Sequence, residues 1–212
     1  MDSPFLTYSL EDITAMEKFF RRNLINCLSG FKSVNLLGSV SDKGLTNLAV
    51  FSQVIHVGAT PPLMGVLFRP HSVPRHSLEN IFGTKEYTLN HINSGIYQQA
   101  HQTSARYQSS EFEAVGLTPF YTDRVSAPYV KEANLKIGLQ YREHHTLMNE
   151  TILVVGEVQE IHLPTESIGE DGFLDLEKTD TVTCSGLDKY HLTETLSRLT
   201  YPKPGKPLSS IE

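Results

Sequence analysis

Tryptophan is absent, and cysteine nearly so, with Cys27 and Cys184 alone among 212 residues. Two thiols cannot build the multi-bridge framework of a small secreted domain, and a chain of this length buries a sizeable core without one. They are read as reduced thiols of a cytosolic protein. A basic excess is missing too: 18 Lys and Arg stand against 24 Asp and Glu, a net charge of −6. With no Lys/Arg run, this argues against nucleic acid as a partner. No apolar run approaches the roughly 20 residues of a membrane span. The start, Met1-Asp2-Ser3-Pro4, has no basic region followed by an apolar stretch, so neither a secretory signal nor a membrane is expected, and the predicted location is the cytoplasm. Glycine (14) and proline (11) are at ordinary levels, which excludes collagen-like and low-complexity chains. The Asn149-Glu150-Thr151 triplet, without a signal, reads as coincidence.

The common catalytic signatures are also missing. There is no G-x-S-x-G, no G-x-x-x-x-G-K-[ST], no G-x-G-x-x-G and no C-x-x-C. Glu143-His144-His145 has the residue types of a metal site, but neighbours on a strand face opposite ways, so a polar strand edge is the expected role. Cys184 beside Ser185-Gly186 has no fixed partner and reads as a buried or turn thiol.

What is present is a change of period along the chain. Apolar residues at Ile13, Met16, Phe19, Phe20, Leu24, Ile25 and Leu28, after an Ser9/Asp12 capping pair, predict one amphipathic helix over 10–29. Lys18, Arg21 and Arg22 read as its solvated face. Strands follow at 34–41, 45–57 and 63–68, the first two joined by Asp42-Lys43-Gly44. Pro74 opens a short helix through Ile81, and 86–92 is again a strand. Short helices or turns cover 94–107 and 110–115. Two long strands, 133–147 and 151–161, are joined by Met148-Asn149-Glu150. Residues 188–199 are weakly helical, and the proline-rich 201–212 is an extended arm. With no repeat and no composition break, residues 1–212 read as a single domain. It is mainly β with peripheral helices, most simply a barrel.

One segment, 35–90, is dense in candidate ligand-binding groups. Ser39, Ser41 and Ser52 place small hydroxyls on strands, where a flat ligand can approach the backbone. Arg75, His76 and Ser77 put a cation, a second donor and a hydroxyl at a helix start, the chemistry that suits a phosphate. The order of these groups resembles the flavin reductase family of FMN-binding split-barrel flavoproteins. Its hydroxyl-bearing strand matches Ser39 and Ser41. Its Asn-x-Ala-x-x-Ser strand matches Asn47-Leu48-Ala49-Val50-Phe51-Ser52, its Pro-Pro matches Pro61-Pro62, and its [Lys/Arg]-x-[Thr/Ser]-x-x-Asn-Ile helix matches 75–81, followed by Asn90. Its later Gly-x-x-x-Tyr matches Gly186 to Tyr190. The resemblance spans roughly 22–190, with Ser where Thr is usual at 39 and 77, which keeps the hydroxyl.

The resemblance implies a six-stranded antiparallel Greek-key split barrel, a homodimer with FMN near its interface, and NAD(P)H as co-substrate. It implies that Ser39, Val40 and Ser41 line the flavin, and that Asn47, Leu48, Ala49, Val50 and Ser52 offer it backbone N–H groups and a hydroxyl. Arg69 would lie close by, Arg75, His76 and Ser77 would hold the phosphate, and Asn80 would brace the loop or touch the cofactor. Tyr190 would pack. Fixed N–H groups would stabilise the charge that hydride transfer places on the ring, and no protein acid, base or metal is required. The expected activity is hydride transfer from NAD(P)H to flavin and onward to an acceptor that the sequence does not name. The alternatives are a flavin-binding carrier or sensor without reductase activity, and a barrel that has lost its cofactor.

Overall fold

The computed structural model describes residues 5–71 and 75–211. Helices α1 (Leu10–Ala15) and α2 (Lys18–Cys27) precede strands β1 (Lys32–Ser33), β2 (Asn35–Val40), β3 (Thr46–Phe51), β4 (Val54–Ala59) and β5 (Pro62–Phe68). Then come α3 (His76–Thr84), β6 (Glu86–His91), α4 (Tyr97–Gln102), α5 (Glu111–Val115), β7 (Pro119–Phe120) and β8 (Tyr129–Val130). Two 11-residue strands, β9 (Lys136–Thr146) and β10 (Ile152–His162), and the short β11 (Thr183–Ser185) and β12 (Lys189–His191) complete the chain.

The main sheet has seven strands in the order β3-β2-β6-β9-β10-β5-β4, antiparallel throughout. Its two edge strands, β3 and β4, are consecutive in sequence and separated only by Ser52 and Gln53. Three Cα steps of ~3.8 Å reach at most about 11 Å. In a flat sheet, six strand spacings of ~4.8 Å would hold those edges about 29 Å apart. The sheet therefore rolls up, and because β3 and β4 do not pair, the barrel is split between them. Register shifts in β10 between Val155 and Gly156 and between Val158 and Glu160 supply bends for this curvature.

Two cores follow from strand alternation. Leu37, Val54, Val66, Phe68, Tyr87, Leu89, Ile137, Leu139 and Val154 fill one, and α3 adds Leu78 and Ile81 to it. The neighbours that alternate with these, such as Leu36 and Leu48, pack instead with Ile96, Ala100 and Phe112 of the α4–α5 region and with Cys184. Asn90 is fully hydrogen-bonded inside the wall: its amide donates to the Leu36 carbonyl and Thr88 hydroxyl, and its Oδ1 accepts from Val130 N–H.

The expected class, mainly β with a split barrel, is the observed one. The strand count differs because 45–57 is two strands, not one: the polar Ser52-Gln53 pair carries the chain across the split. The single N-terminal helix is two, since Glu17 caps a new start by accepting from Phe19 and Phe20 N–H. No helix forms at 188–199; β12 pairs there with β11. The arm is not simply extended but folds back, with Leu199 bridged to Ser210. Pro74 and the residues Met1–Pro4 lie outside the described residues. Cys27 and Cys184 are unpaired, one exposed and one buried.

Candidate functional site

A cleft of about 1000 Å³ opens at the split in the barrel. Its floor is β3, contributing Asn47, Ala49, Val50 and Phe51 with the following Ser52 and Gln53. β3 is a sheet edge, and only side chains cover it there. At one end, the C-terminal end of β5 and the start of α3 supply Arg69, Arg75, His76 and Ser77. The opposite wall comes from far away in the chain: Arg22 and Asn26 on α2, His101 on α4, and Leu187, Asp188 and Tyr190 at the β11–β12 turn.

The cationic end has the chemistry of an anion site. Arg75, the N-cap residue of α3, gives the helix no side-chain cap, so among the described residues no side chain takes the first N–H groups of this nine-residue helix, which carry the partial positive charge of its N-terminus. The Arg75 guanidinium is steadied by the Pro70 carbonyl, which accepts from Nε at 3.4 Å and Nη2 at 3.3 Å. Ser77 Oγ accepts from Asn47 Nδ2 at 2.8 Å, which leaves the hydroxyl proton to donate. Glu79 accepts from Arg75 N–H at 3.1 Å and contacts His71 at 2.8 Å; the His71 hydrogen bond first, then the Arg75 N–H, hold its carboxyl below the usual range. Glu79 thereby fixes the loop backbone.

Of the sequence-derived candidates, the cleft brings together Asn47, Ala49, Val50, Ser52, Arg69, Arg75, His76 and Ser77. Ser39, Val40, Ser41, Leu48 and Asn80 do not line it. Ser39 and Asn80 are buried and bond to each other, Asn80 Nδ2 donating to Ser39 Oγ at 3.1 Å, which ties α3 to β2. Ser41 closes the β2–β3 turn by accepting from Leu45 N–H. The Leu48 side chain lies in the outer core. The expected row of free backbone donors along β3 is also interrupted. Leu48 N–H donates to Glu111 Oε2 at 3.2 Å and Val50 N–H to Thr103 Oγ1 at 3.0 Å, so α5 and the end of α4 occupy that edge.

Sequence reasoning missed the far wall. Arg22, read as part of a solvated face, is indeed exposed, and it and Asn26, one turn on, also line the cleft. Their four-residue spacing was the available signal. His101 carried none; its Nδ1 lies 3.1 Å from Tyr190 Oη. Tyr190 packs on Tyr97, as expected, and also lines the cleft. Burial pushes its phenol up to about 12. Burial likewise pushes the Cys184 thiol up, which suits packing rather than nucleophilic attack. His144 bonds Tyr141 and His145 pairs with Glu143, so the two rings diverge.

The family model described as flavin reductase like domain matches residues 28–177. A Shewanella frigidimarina protein assigned as a flavin reductase with a split barrel domain is 49% identical, over 93% of this chain and 100% of its own, with a TM-score of 0.90. Nitrilotriacetate monooxygenase component B from Bacillus cereus shares the fold at 20% identity, covering 93% of this chain and 100% of its own, with a TM-score of 0.82. A protein of Aquifex aeolicus with no assigned function is 25% identical over 133 residues, 58% of this chain and 68% of its own.

Proposed function

Starting from the fact that the chain belongs to the flavin reductase-like domain family, we propose that the cleft binds FMN and that the protein is an oxidoreductase taking hydride from NAD(P)H. The observation that carries this reading is the cationic end of the cleft, where Arg69, Arg75 and Ser77 meet at the start of α3 beside the β3 floor. That donor set fits a phosphate monoester, and the small Ala49 on the floor suits a flat ring. When bound, FMN would supply a ring that accepts a hydride and returns electrons to an acceptor. The residues of the chain bind and orient. Arg75 and Arg69 supply charge to the phosphate, Ser77 donates its proton, Asn47 holds Ser77 in place, and the Ser39–Asn80 bond keeps α3 at its distance from the sheet. No titrating side chain is asked to transfer a proton.

A homodimer is part of the same proposal. Phe19, Phe20 and Ile25 on α2 and Ile55 and Val57 on β4 are exposed apolar side chains that a second copy of the chain would cover. Sedimentation at micromolar concentration should therefore report twice the chain mass.

The test of function is the absorption spectrum of the purified protein mixed with FMN, before and after anaerobic addition of NADH or NADPH. Retained yellow colour that bleaches supports the reductase. Retained FMN that neither nicotinamide bleaches makes the protein a flavin carrier or sensor. A protein that takes up no FMN overturns the reading.

A further inference from the structure

The far wall of the cleft has no task in the reading above, and its charge is unspent. A phosphate monoester carries about −1.5 to −2 at neutral pH, which Arg69 and Arg75 match. Arg22 remains, lining the cleft from α2. Among the described residues its guanidinium hydrogen-bonds within its own helix, to Asn23 Oδ1 at 3.1 and 3.3 Å, and lies 5.0 Å over the Phe19 ring. Among the described residues no carboxylate pairs with it.

A second cation stands behind it. Lys32 on β1 is directly opposite Cys184 on β11, which is directly opposite Tyr190 on β12. Opposed residues share a face of a sheet, so Lys32, Cys184 and Tyr190 form one row; the last two line the cleft, and Lys32 lies beneath them outside its lining, adding positive charge at a distance. Lys32 is 6% exposed. Its Nζ donates to the Gly186 carbonyl at 2.8 Å and, among the described residues, meets no carboxylate. A buried ammonium without a counter-charge favours an anion nearby. His101 extends the row through its contact with Tyr190 Oη. Asp188 is the carboxylate among the lining residues and offsets only part of this charge. The volume agrees: about 1000 Å³ is the upper end of what one drug-sized ligand occupies.

Resting on the FMN reading, we propose that Arg22, with His101 and Tyr190, forms a second anion subsite that holds a phosphate-bearing planar co-substrate. Arg22 is the residue that selects for the charge. The aromatic and imidazole rings give the flat group a surface, and the Arg22 guanidinium takes the phosphate. The phosphate can be that of the dinucleotide hydride donor or that of a free flavin nucleotide accepting electrons, and the test separates them.

The experiment compares the wild type with Arg22→Gln and Arg22→Lys, each loaded with FMN. It measures the Kd of resident FMN and the KM of NADH, NADPH, free FMN and the phosphate-free acceptor riboflavin. The expected result is a rise of about fivefold or more in KM for a phosphate-bearing co-substrate in Arg22→Gln, a loss of order 1 kcal/mol for a partly exposed charge contact. Riboflavin KM and FMN Kd should stay within twofold, and Arg22→Lys should recover part of the loss. A rise for the dinucleotides assigns the subsite to the hydride donor; a rise for free FMN but not riboflavin assigns it to the acceptor. Unchanged KM values for all four, or a weakened FMN Kd in their place, overturns the proposal while leaving the FMN reading standing. A wild type that takes up no FMN fails earlier, and on the functional reading itself.

Discussion

Replacing Arg75 with alanine isolates the anion end of the cleft from the rest of the molecule. A guanidinium has five N–H donors, and the Pro70 carbonyl engages the Nε and Nη2 groups through long contacts of 3.4 and 3.3 Å. Donors therefore remain for a ligand. A hydrogen bond to a charged group is worth about 1.5–3 kcal/mol, so removing it should weaken FMN binding about 10- to 150-fold. Arg75 belongs to neither core cluster, so the thermal midpoint should move by no more than about 4 °C, the equivalent of ~1 kcal/mol for a chain of this size. The assay is quenching of FMN fluorescence on titration with protein. Arg75→Lys keeps the charge but loses the planar fork and should fall between. Added salt should weaken the wild type more than the alanine variant, since screening acts on the charge that the variant lacks. An alanine variant that unfolds normally and binds FMN within twofold of wild type would refute the phosphate assignment.

The remaining predictions follow from the same geometry. Ser77→Ala removes one neutral donor worth about 0.5–1.5 kcal/mol and should weaken FMN roughly two- to tenfold in the same titration. Gly156→Ala places a Cβ 2.2 Å from the Tyr87 hydroxyl oxygen, an overpacking that should cost about 1–3 kcal/mol in chemical denaturation. Among the described residues the buried Tyr87 hydroxyl has no partner, so Tyr87→Phe alone should be neutral or stabilising, and in the double variant it should restore part of the loss; additive effects would disprove the contact. His91, beside Thr181 Oγ1 at 3.1 Å, has its imidazole pushed down by burial to about 4. Its unfolded value is near 6.5, so between pH 6.5 and 4 the unfolded chain binds a proton that the folded chain refuses. Stability should fall as pH drops through that window, by at most about 3 kcal/mol, and His91→Asn should flatten that part of the curve.

Much of this architecture was legible because it is written in short-range patterns. Period-two runs marked β2, β5, β6, β9 and β10, and Asp42-Lys43-Gly44 and Met148-Asn149-Glu150 marked their hairpins, since each needs only residues a few positions apart. The cation–hydroxyl run at 75–77 was legible for the same reason. The sequence alone thus determined which segments extend, where they turn, and that one helix start carries a cation beside a hydroxyl.

Tertiary structure decided the rest. Ser52-Gln53 reads as the middle of a strand until the rolled sheet makes it the crossing between opposite edges. Leu48 and Val50 read as free donors until Glu111 and Thr103, some fifty to sixty residues on, cap that edge. Ser39 and Asn80 become each other's partners when α3 docks on β2, and Arg22, His101 and Tyr190 face one cleft only because the barrel closes. Local periodicity reports which face of its own element a side chain takes. What that face meets is set by contacts across the closed sheet, between residues with no pattern in common.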